Sequence, residues 1–428
     1  MQTYEDAINW INSRLKFGIK PGLERMEWMM EKLGSPEKKL KVIHIGGTNG
    51  KGSTVTYLRS ILNEAGYRVG TFTSPYIETF NERISVDGFP ITDEEIVQLV
   101  AHIQPYVEEI ETTNLGSLTE FEVITVMAIY YFAYINPMDI TIFEVGLGGR
   151  LDSTNILQPI LSIITNIGMD HVNILGHTVA EIAFEKAGII KNETPVITGA
   201  KQREALKVIT NKSKEMNAKL SISKDDYRIE NVRTRERGEQ FTFSSAEVQF
   251  QDVVINMLGK HQIENAVLAI GAAIFLQIDE PMIREGLRKA SWPGRMEIVS
   301  EQPFVILDGA HNPEGITSLI NTIQEHFPYK KKKMIFAALH DKDLTNMIQP
   351  LAKLDAEVYF TEFDFPRAAS AEELFSLRLL PHAKINKNWK KLLGELSHAL
   401  EENEMLIVSG SLYFISNVKS YLKEFPQF

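Results

Sequence analysis

The sequence predicts an α/β protein of two domains: a P-loop-type, mostly parallel sheet accompanied by a small antiparallel sheet, then a smaller Rossmann-like α/β domain. Three observations carry this. From residue 41 onward apolar strands alternate with amphipathic helices, the pattern of a parallel sheet covered on both faces. Around Tyr227 to Ile255 the rhythm changes to alternating segments such as Gln240-Phe241-Thr242-Phe243, which suits antiparallel strands. A chain of 428 residues is also longer than one ordinary core accommodates.

Strands are expected at 41–45, 69–73, 139–144, 160–165 and 195–198, with helices at 52–64, 92–111, 119–135 and 178–188 between them. Thr119 with Glu122, and Thr178 with Glu181, have capping-box spacing and mark two of the helix starts. The longest uncharged apolar stretch, Val123 to Ile135, is 13 residues long and closes at Pro137. That is short of a bilayer span, so it reads as a buried helix. Two further helices, near 260–276 and 280–290, follow the antiparallel segment. Ser291-Trp292-Pro293-Gly294-Arg295 is the best candidate linker, because Pro and Gly punctuate it and new strands begin directly after it. The expected domains are therefore 1–294 and 295–428, the second with strands at 304–308, 333–338, 356–361 and 405–408. The cleft between them is the natural ligand site, with Trp292 to Arg295 as its hinge.

Composition narrows the function. A net charge of −11 argues against nucleic-acid or anionic-membrane binding, so an acidic substrate needs local basic groups. The run Lys330 to Lys333 leads into an apolar segment and reads as a solvated strand entrance. Without cysteine there is no disulfide, thiolate metal site or cysteine nucleophile. The first residues lack the basic start and apolar core of a signal peptide, and a cytoplasmic monomer acting on small molecules is expected.

The most informative segment is Val42-Ile43-His44-Ile45-Gly46-Gly47-Thr48-Asn49-Gly50-Lys51-Gly52-Ser53, an apolar strand entering a glycine-rich turn and then a helix. Turn amides and the positive helix end can cradle phosphate oxygens, with Lys51 adding a charge and Ser53 a hydroxyl. The spacing departs from the standard P-loop: two glycines come early and the hydroxyl falls one place late. Ligands of open α/β sheets gather beyond the carboxyl ends of the strands. There the second strand delivers Ser74, and the third Glu144 followed by Val145-Gly146-Leu147-Gly148-Gly149. Ser74 with Glu144 could supply oxygen ligands to a nucleotide-bridging Mg²⁺, although a strand-end acid also commonly caps a neighbouring loop.

After the fourth strand comes Asp170-His171; Mg²⁺ prefers oxygen, and a lone loop histidine is usually structural. Along the next helix, Val179, Ile182 and Ala183 form an apolar face that continues at Lys186. A lysine on an apolar face often snorkels outward to solvent, whereas a buried one must be neutral, paired with an anion, or modified. In the second domain Phe304-Val305-Ile306-Leu307 ends in Asp308-Gly309-Ala310-His311-Asn312-Pro313, and Pro313 stands where a helix can begin. Near the end, Ser409-Gly410-Ser411 follows another strand, its hydroxyls binding substrate or capping the last helix.

Taken together, Gly47-Thr48-Asn49-Gly50-Lys51-Gly52-Ser53, Thr73-Ser74-Pro75, Phe80-Asn81-Glu82-Arg83-Ile84, Glu144 to Gly149, Asp170-His171, Glu185-Lys186-Ala187-Gly188 and Asp308 to Pro313 resemble the folylpolyglutamate synthase/dihydrofolate synthase family of the Mur ligase superfamily. The motifs run in the family's order along nearly the whole chain. The resemblance implies ATP-driven amide formation between a folate or dihydropteroate carboxylate and the amine of L-glutamate, through an acyl phosphate. It implies that Gly47 to Ser53, Asn265, Arg295 and Asp308 bind ATP, that Ser74, Glu144 and His171 bind two Mg²⁺, and that Lys186 is carbamylated. Arg83, Asp152, His311 and Ser411 would meet the substrates, and Lys186, Asp308 and His311 would serve catalysis. The segment Gly149 to Asn155 looks more like members that use both acceptors. Two rivals stand beside this reading. A peptidoglycan Mur ligase would carry a nucleotide-sugar domain ahead of the loop, where only 45 residues precede Gly46, and a P-loop regulator without ligase activity has no use for Asp308 and His311.

Overall fold

The computed structural model describes residues 3–18 and 20–424. It divides into two compact units. The first comprises the chain to Glu230 together with Thr242–Val253 and Glu264–Ala290; the second comprises Asn231–Phe241, Val254–Ile263 and everything from Ser291 onward.

The first unit is built on an eight-stranded sheet. Its strands are β1 (Val42–Gly46), β2 (Val69–Phe72), β3 (Ile84–Val86), β4 (Phe89–Pro90), β5 (Ile140–Glu144), β6 (Pro159–Ile164), β7 (Val196–Thr198) and β8 (Leu220–Ile222), in the order β4-β3-β2-β5-β1-β6-β7-β8. From β2 to β8 all neighbours pair in parallel; β3 runs antiparallel to β2 and β4. Every residue of β1, β2 and β5 is buried, as expected of central strands with helices on both faces. This order places the carboxyl ends of β1, β2, β5 and β6 side by side.

The helices Tyr4–Asn12 and Glu24–Lys32, which the periodicity does not single out, bury Ala7, Ile11, Met26 and Met29 against Leu99, Ile103 and Met127 of the first unit's core. Both predicted capping boxes form, at Thr119/Glu122 and Thr178/Glu181. The helix expected over 119–135 runs as an α-helix from Glu120 to Tyr130 and then widens to a π-helix over Tyr131–Ile135. Tyr131 at the junction donates to Glu95 at 2.5 Å and accepts from Asn136 Nδ2 at 3.0 Å.

A three-stranded sheet follows, ordered β11-β10-β9, from β9 (Arg228–Thr234), β10 (Glu239–Ser244) and β11 (Gln249–Ile255). Tight turns at Arg235–Gly238 and Ser245–Val248 join successive strands as hairpins. The second unit carries six strands, β12 (Glu297–Glu301), β13 (Phe304–Leu307), β14 (Lys331–Phe336), β15 (Ala356–Phe360), β16 (Lys384–Ile385) and β17 (Glu404–Ser409), ordered β12-β13-β17-β14-β15-β16. All pair in parallel except β12 with β13. Its core gathers Ile306, Ile320, Met334, Phe336, Val358 and Ile407. At the entrance of β14, Lys333 pairs with Glu404 at 2.8 Å, and Lys330 donates to the Glu402 carbonyl.

Candidate active site

The phosphate loop leaves β1 at Gly46 and enters the helix Lys51–Glu64. Two of its glycines are required by conformation and by space. Gly47 has φ +144° and Gly50 φ +83°; a Cβ on Gly47 would lie 1.9 Å from Thr165 Oγ1, and one on Gly50 2.1 Å from Asn265 Oδ1. Asn265 is thus packed directly against the loop.

The loop is held from the end of β6. Asn166 Oδ1 accepts from the Thr48 amide at 3.2 Å and the Asn49 amide at 2.8 Å, and the Asn166 carbonyl also accepts from Thr48. Thr165 donates its hydroxyl to the Asn49 carbonyl at 2.6 Å, while Thr48 Oγ1 donates to Gly168 O and accepts from Gly168 N. The sequence gives neither Asn166 nor Thr165 a role at the site. Polar residues ending a strand beside the loop strand were the available signal.

Two lysines converge on this loop. Lys51 Nζ donates to the carbonyls of Gly47 and Thr48, each at 3.2 Å, and stands 3.9 Å from Glu144 Oε1. Lys186, inward as its helix position predicted, donates to the Gly47 carbonyl at 2.9 Å. Burial and then the charge of Lys51 lower its pKa to about 7, against the pull of Asp170 and Asp152. Near neutral pH it is therefore partly an uncharged amine, which is the nucleophilic form.

Glu144 is buried at the end of β5, and its Oε2 lies 3.4 Å from the Ser74 amide, so these two residues share one corner. Among the described residues no three His, Asp or Glu side chains gather as a metal cage. A divalent ion here would rest on one carboxylate plus hydroxyl, water and phosphate oxygens. That sparse oxygen set suits Mg²⁺. His171 is exposed, has φ +51°, and heads the short helix Val172–Leu175; its Nε2 lies 4.0 Å from Asp170 Oδ1.

Asp152 is buried and turned to its own loop: its oxygens accept from Leu147 N at 2.8 Å, Thr154 N at 3.0 Å and Thr154 Oγ1 at 2.5 Å. Burial raises its pKa against these bonds. The Arg83 guanidinium reaches Glu120 at 3.2 Å and lies 5.4 Å and 5.7 Å from the ring centres of Tyr76 and Phe80. Its Nε is buried with no hydrogen-bond partner.

In the second unit, Asp308 follows β13 and accepts from the amides of Met296 at 2.8 Å and Ala310 at 2.9 Å. Burial pushes its carboxyl up while Arg295 and these amides pull it down. Gly309 donates to the Gly294 carbonyl, and a Cβ there would lie 3.0 Å from Arg295 Nη1, so Arg295 and Asp308 form one cluster. His311 Nδ1 sits 2.8 Å from the Gly309 carbonyl. A carbonyl only accepts, so Nδ1 carries a proton. Asn312 caps the helix Pro313–His326 through Gly315 N. Ser411 is buried between Gly410, with φ +108°, and the helix Leu412–Glu424.

Residues 45–273 match the Mur ligase middle domain and 294–412 the glutamate ligase domain of Mur ligases. A dihydrofolate synthase/folylpolyglutamate synthase of Bacillus subtilis is 47% identical over 98% of this chain and 99% of its own. The chain belongs to the folylpolyglutamate synthase/dihydrofolate synthase family. The folylpolyglutamate synthase of Lacticaseibacillus casei is 32% identical over 98% of each chain. Among solved members of the family, a Mycobacterium tuberculosis folylpolyglutamate synthase complexed with ADP superposes with a TM-score of 0.91 at 28% identity, covering 98% of each chain. The Thermotoga maritima folylpolyglutamate synthase gives 0.85 at 33% identity, covering 98% of this chain and 96% of that one. A folylpolyglutamate synthase solved with AMPPCP and folate also gives 0.85, at 29% identity, covering 98% of this chain and all of the other. No helix among the described residues is long and apolar enough to cross a membrane.

Proposed function

We propose that this protein is an ATP-dependent ligase that adds L-glutamate to a folate and to dihydropteroate. The observation that supports it most is the loop itself: two lysines on the Gly47 carbonyl, one of them buried, beside a buried carboxylate at a strand end. Family membership over the full chain supplies the reaction class.

A carboxylate is a poor acyl donor. Transfer of the γ-phosphoryl group from ATP to the acceptor's carboxylate oxygen releases ADP and gives an acyl phosphate. The glutamate amine then attacks its carbonyl carbon, sheds a proton, and the C–O bond to phosphate breaks. Lys51 would leave its two carbonyl partners for phosphate oxygens, and the positive end of the helix Lys51–Glu64 would face the same charge. Glu144 and Ser74, with His171 towards a second ion, would hold Mg²⁺, which supplies neutralisation of the transferring phosphoryl charge. Asn265, packed against Gly50, would contact the nucleotide beside the loop.

Lys186, partly neutral near pH 7, is the amine form that carbon dioxide carbamylates, and the product is an oxygen-bearing anion that offers Mg²⁺ a further ligand. Arg295 and Asp308 would act on ATP, and His311 Nε2 would accept the proton of the incoming amine near Ser411. Arg83 and the loop shaped by Asp152 would meet the acceptor. The protein is proposed to work in the cytoplasm as a monomer on small molecules alone.

The test is ADP release measured with Mg²⁺, glutamate and either dihydropteroate or tetrahydrofolate. Release that requires glutamate together with an acceptor supports the ligase, and use of both acceptors supports the bifunctional form. Release independent of both would leave a nucleotide hydrolase or regulator instead.

A further inference from the structure

His44 lies wholly buried in the middle of β1, two residues before Gly46. Its Nε2 is 2.8 Å from Thr154 Oγ1, which is itself 2.5 Å from Asp152 Oδ1. The proton positions follow from valence. A carboxylate only accepts, so Thr154 gives its hydroxyl proton to Asp152, and its oxygen then accepts from an N–H on His44 Nε2. Asp152 Oδ2 in turn accepts from the amide of Leu147, three residues beyond Glu144. The path His44, Thr154, Asp152, Leu147 therefore joins the strand that carries the phosphate loop to the segment that carries Glu144.

Packing alone does not call for this histidine. His44 Nδ1 is buried with no hydrogen-bond partner, a cost that an aliphatic side chain between Ile43 and Ile45 would avoid. Burial and the charge of Lys191 lower its pKa to about 3, so the ring is a permanent neutral donor and not a proton carrier. What remains for it is orientation.

We propose that His44 is a positioning residue, which through Thr154 and Asp152 sets the Gly146 to Gly149 segment and so aims the Glu144 carboxylate at the metal side of the nucleotide. The inference rests on the ligase reading of the loop. Its signature is a coupling between nucleotide and metal, separate from foldedness.

The experiment titrates the full-length protein with a fluorescent ATP analogue, with and without Mg²⁺, and compares the two affinities. Thr154→Val and His44→Met should reduce the enhancement by Mg²⁺ about tenfold, as loss of one buried, oriented hydrogen bond implies, and leave metal-free binding near that of the wild type. Thr154→Ser and His44→Gln, which retain the hydroxyl and a donor, should restore the enhancement. A folded Thr154→Val protein with the wild-type ratio overturns the proposal. Should that variant not fold, His44→Met against His44→Gln makes the same comparison, and equal ratios there overturn it too. Failure of the wild type to bind nucleotide, or to bind it more tightly with Mg²⁺, would instead remove the ligase reading on which the inference stands.

Discussion

Lys186→Met isolates the electrostatics of the phosphate loop. The side chains are similar in length, but methionine cannot carry charge and cannot donate to the Gly47 carbonyl. In the wild type the amine has a folded-state pKa of about 7 against an ordinary value of 10.5. Because folding lowers this pKa, the cost of holding the charge is complete below pH 7. It lifts as pH rises towards 10.5, where the unfolded chain keeps the proton longer than the folded one. Stability from this residue therefore increases with pH across that window, at about 1.4 kcal/mol per pH unit where the slope is full. Between pH 6 and pH 9 the linkage sums to about 3 kcal/mol for the wild type and to nothing for the variant. Urea unfolding of both proteins at both pH values, in buffer freed of carbon dioxide, measures the difference, since other titrating groups cancel. Equal stability gaps at pH 6 and pH 9 would show that Lys186 is not a buried, depressed amine, and the route to its carbamylation would go with it.

Three other outcomes are expected. Lys51→Ala should abolish ligation and leave the unfolding midpoint almost unchanged, because its protein contacts are two 3.2 Å carbonyl bonds and a 3.9 Å approach to Glu144; retained ADP release would refute the phosphate loop. Gly50→Ala should cost at least about 1–2 kcal/mol from its left-handed backbone alone. It should also weaken nucleotide binding by displacing Asn265, and calorimetry finding both unchanged would contradict the contact. Asp308→Asn presents an NH₂ to one of two amides that now meet oxygens, so denaturant unfolding should show a loss of about 1–3 kcal/mol; an unchanged curve would mean that the carboxylate does not pin Met296 and Ala310.

The sheet strands were legible because a covered parallel strand must be apolar along its length, and β1, β5, β6 and β7 lie within a residue of where the pattern put them. The short edge strands β3, β4 and β16 were not: two or three residues are too few to display a period. Nor were the two N-terminal helices, whose apolar positions at Ala7, Ile11, Met26 and Met29 are spread among charged residues. At the site, Lys186 could be found because helical spacing gives an inward lysine no ordinary explanation. His44 does not stand out as a motif; a histidine inside a strand buried on both faces needs a hydrogen bond, but its partner Thr154 lies 110 residues away and only the fold brings the two together. Arg83 and Ser411 owe their place in the proposed site to likeness with the family, because their local patterns fit structural roles equally well.

The grip of Asn166 and Thr165 on the phosphate loop bears on how quickly a ligand can arrive. Thr48 and Asn49 are already tied down by their own protein, so the anion cradle exists before any anion enters it. Ordering of the chain is completed at folding and does not slow each encounter; association is left to diffusion and to the departure of water. A cradle of this kind answers to the shape and charge of the phosphates more than to the base they are attached to. Inorganic triphosphate should therefore compete for it directly, and selection among nucleotides must come from residues outside the loop.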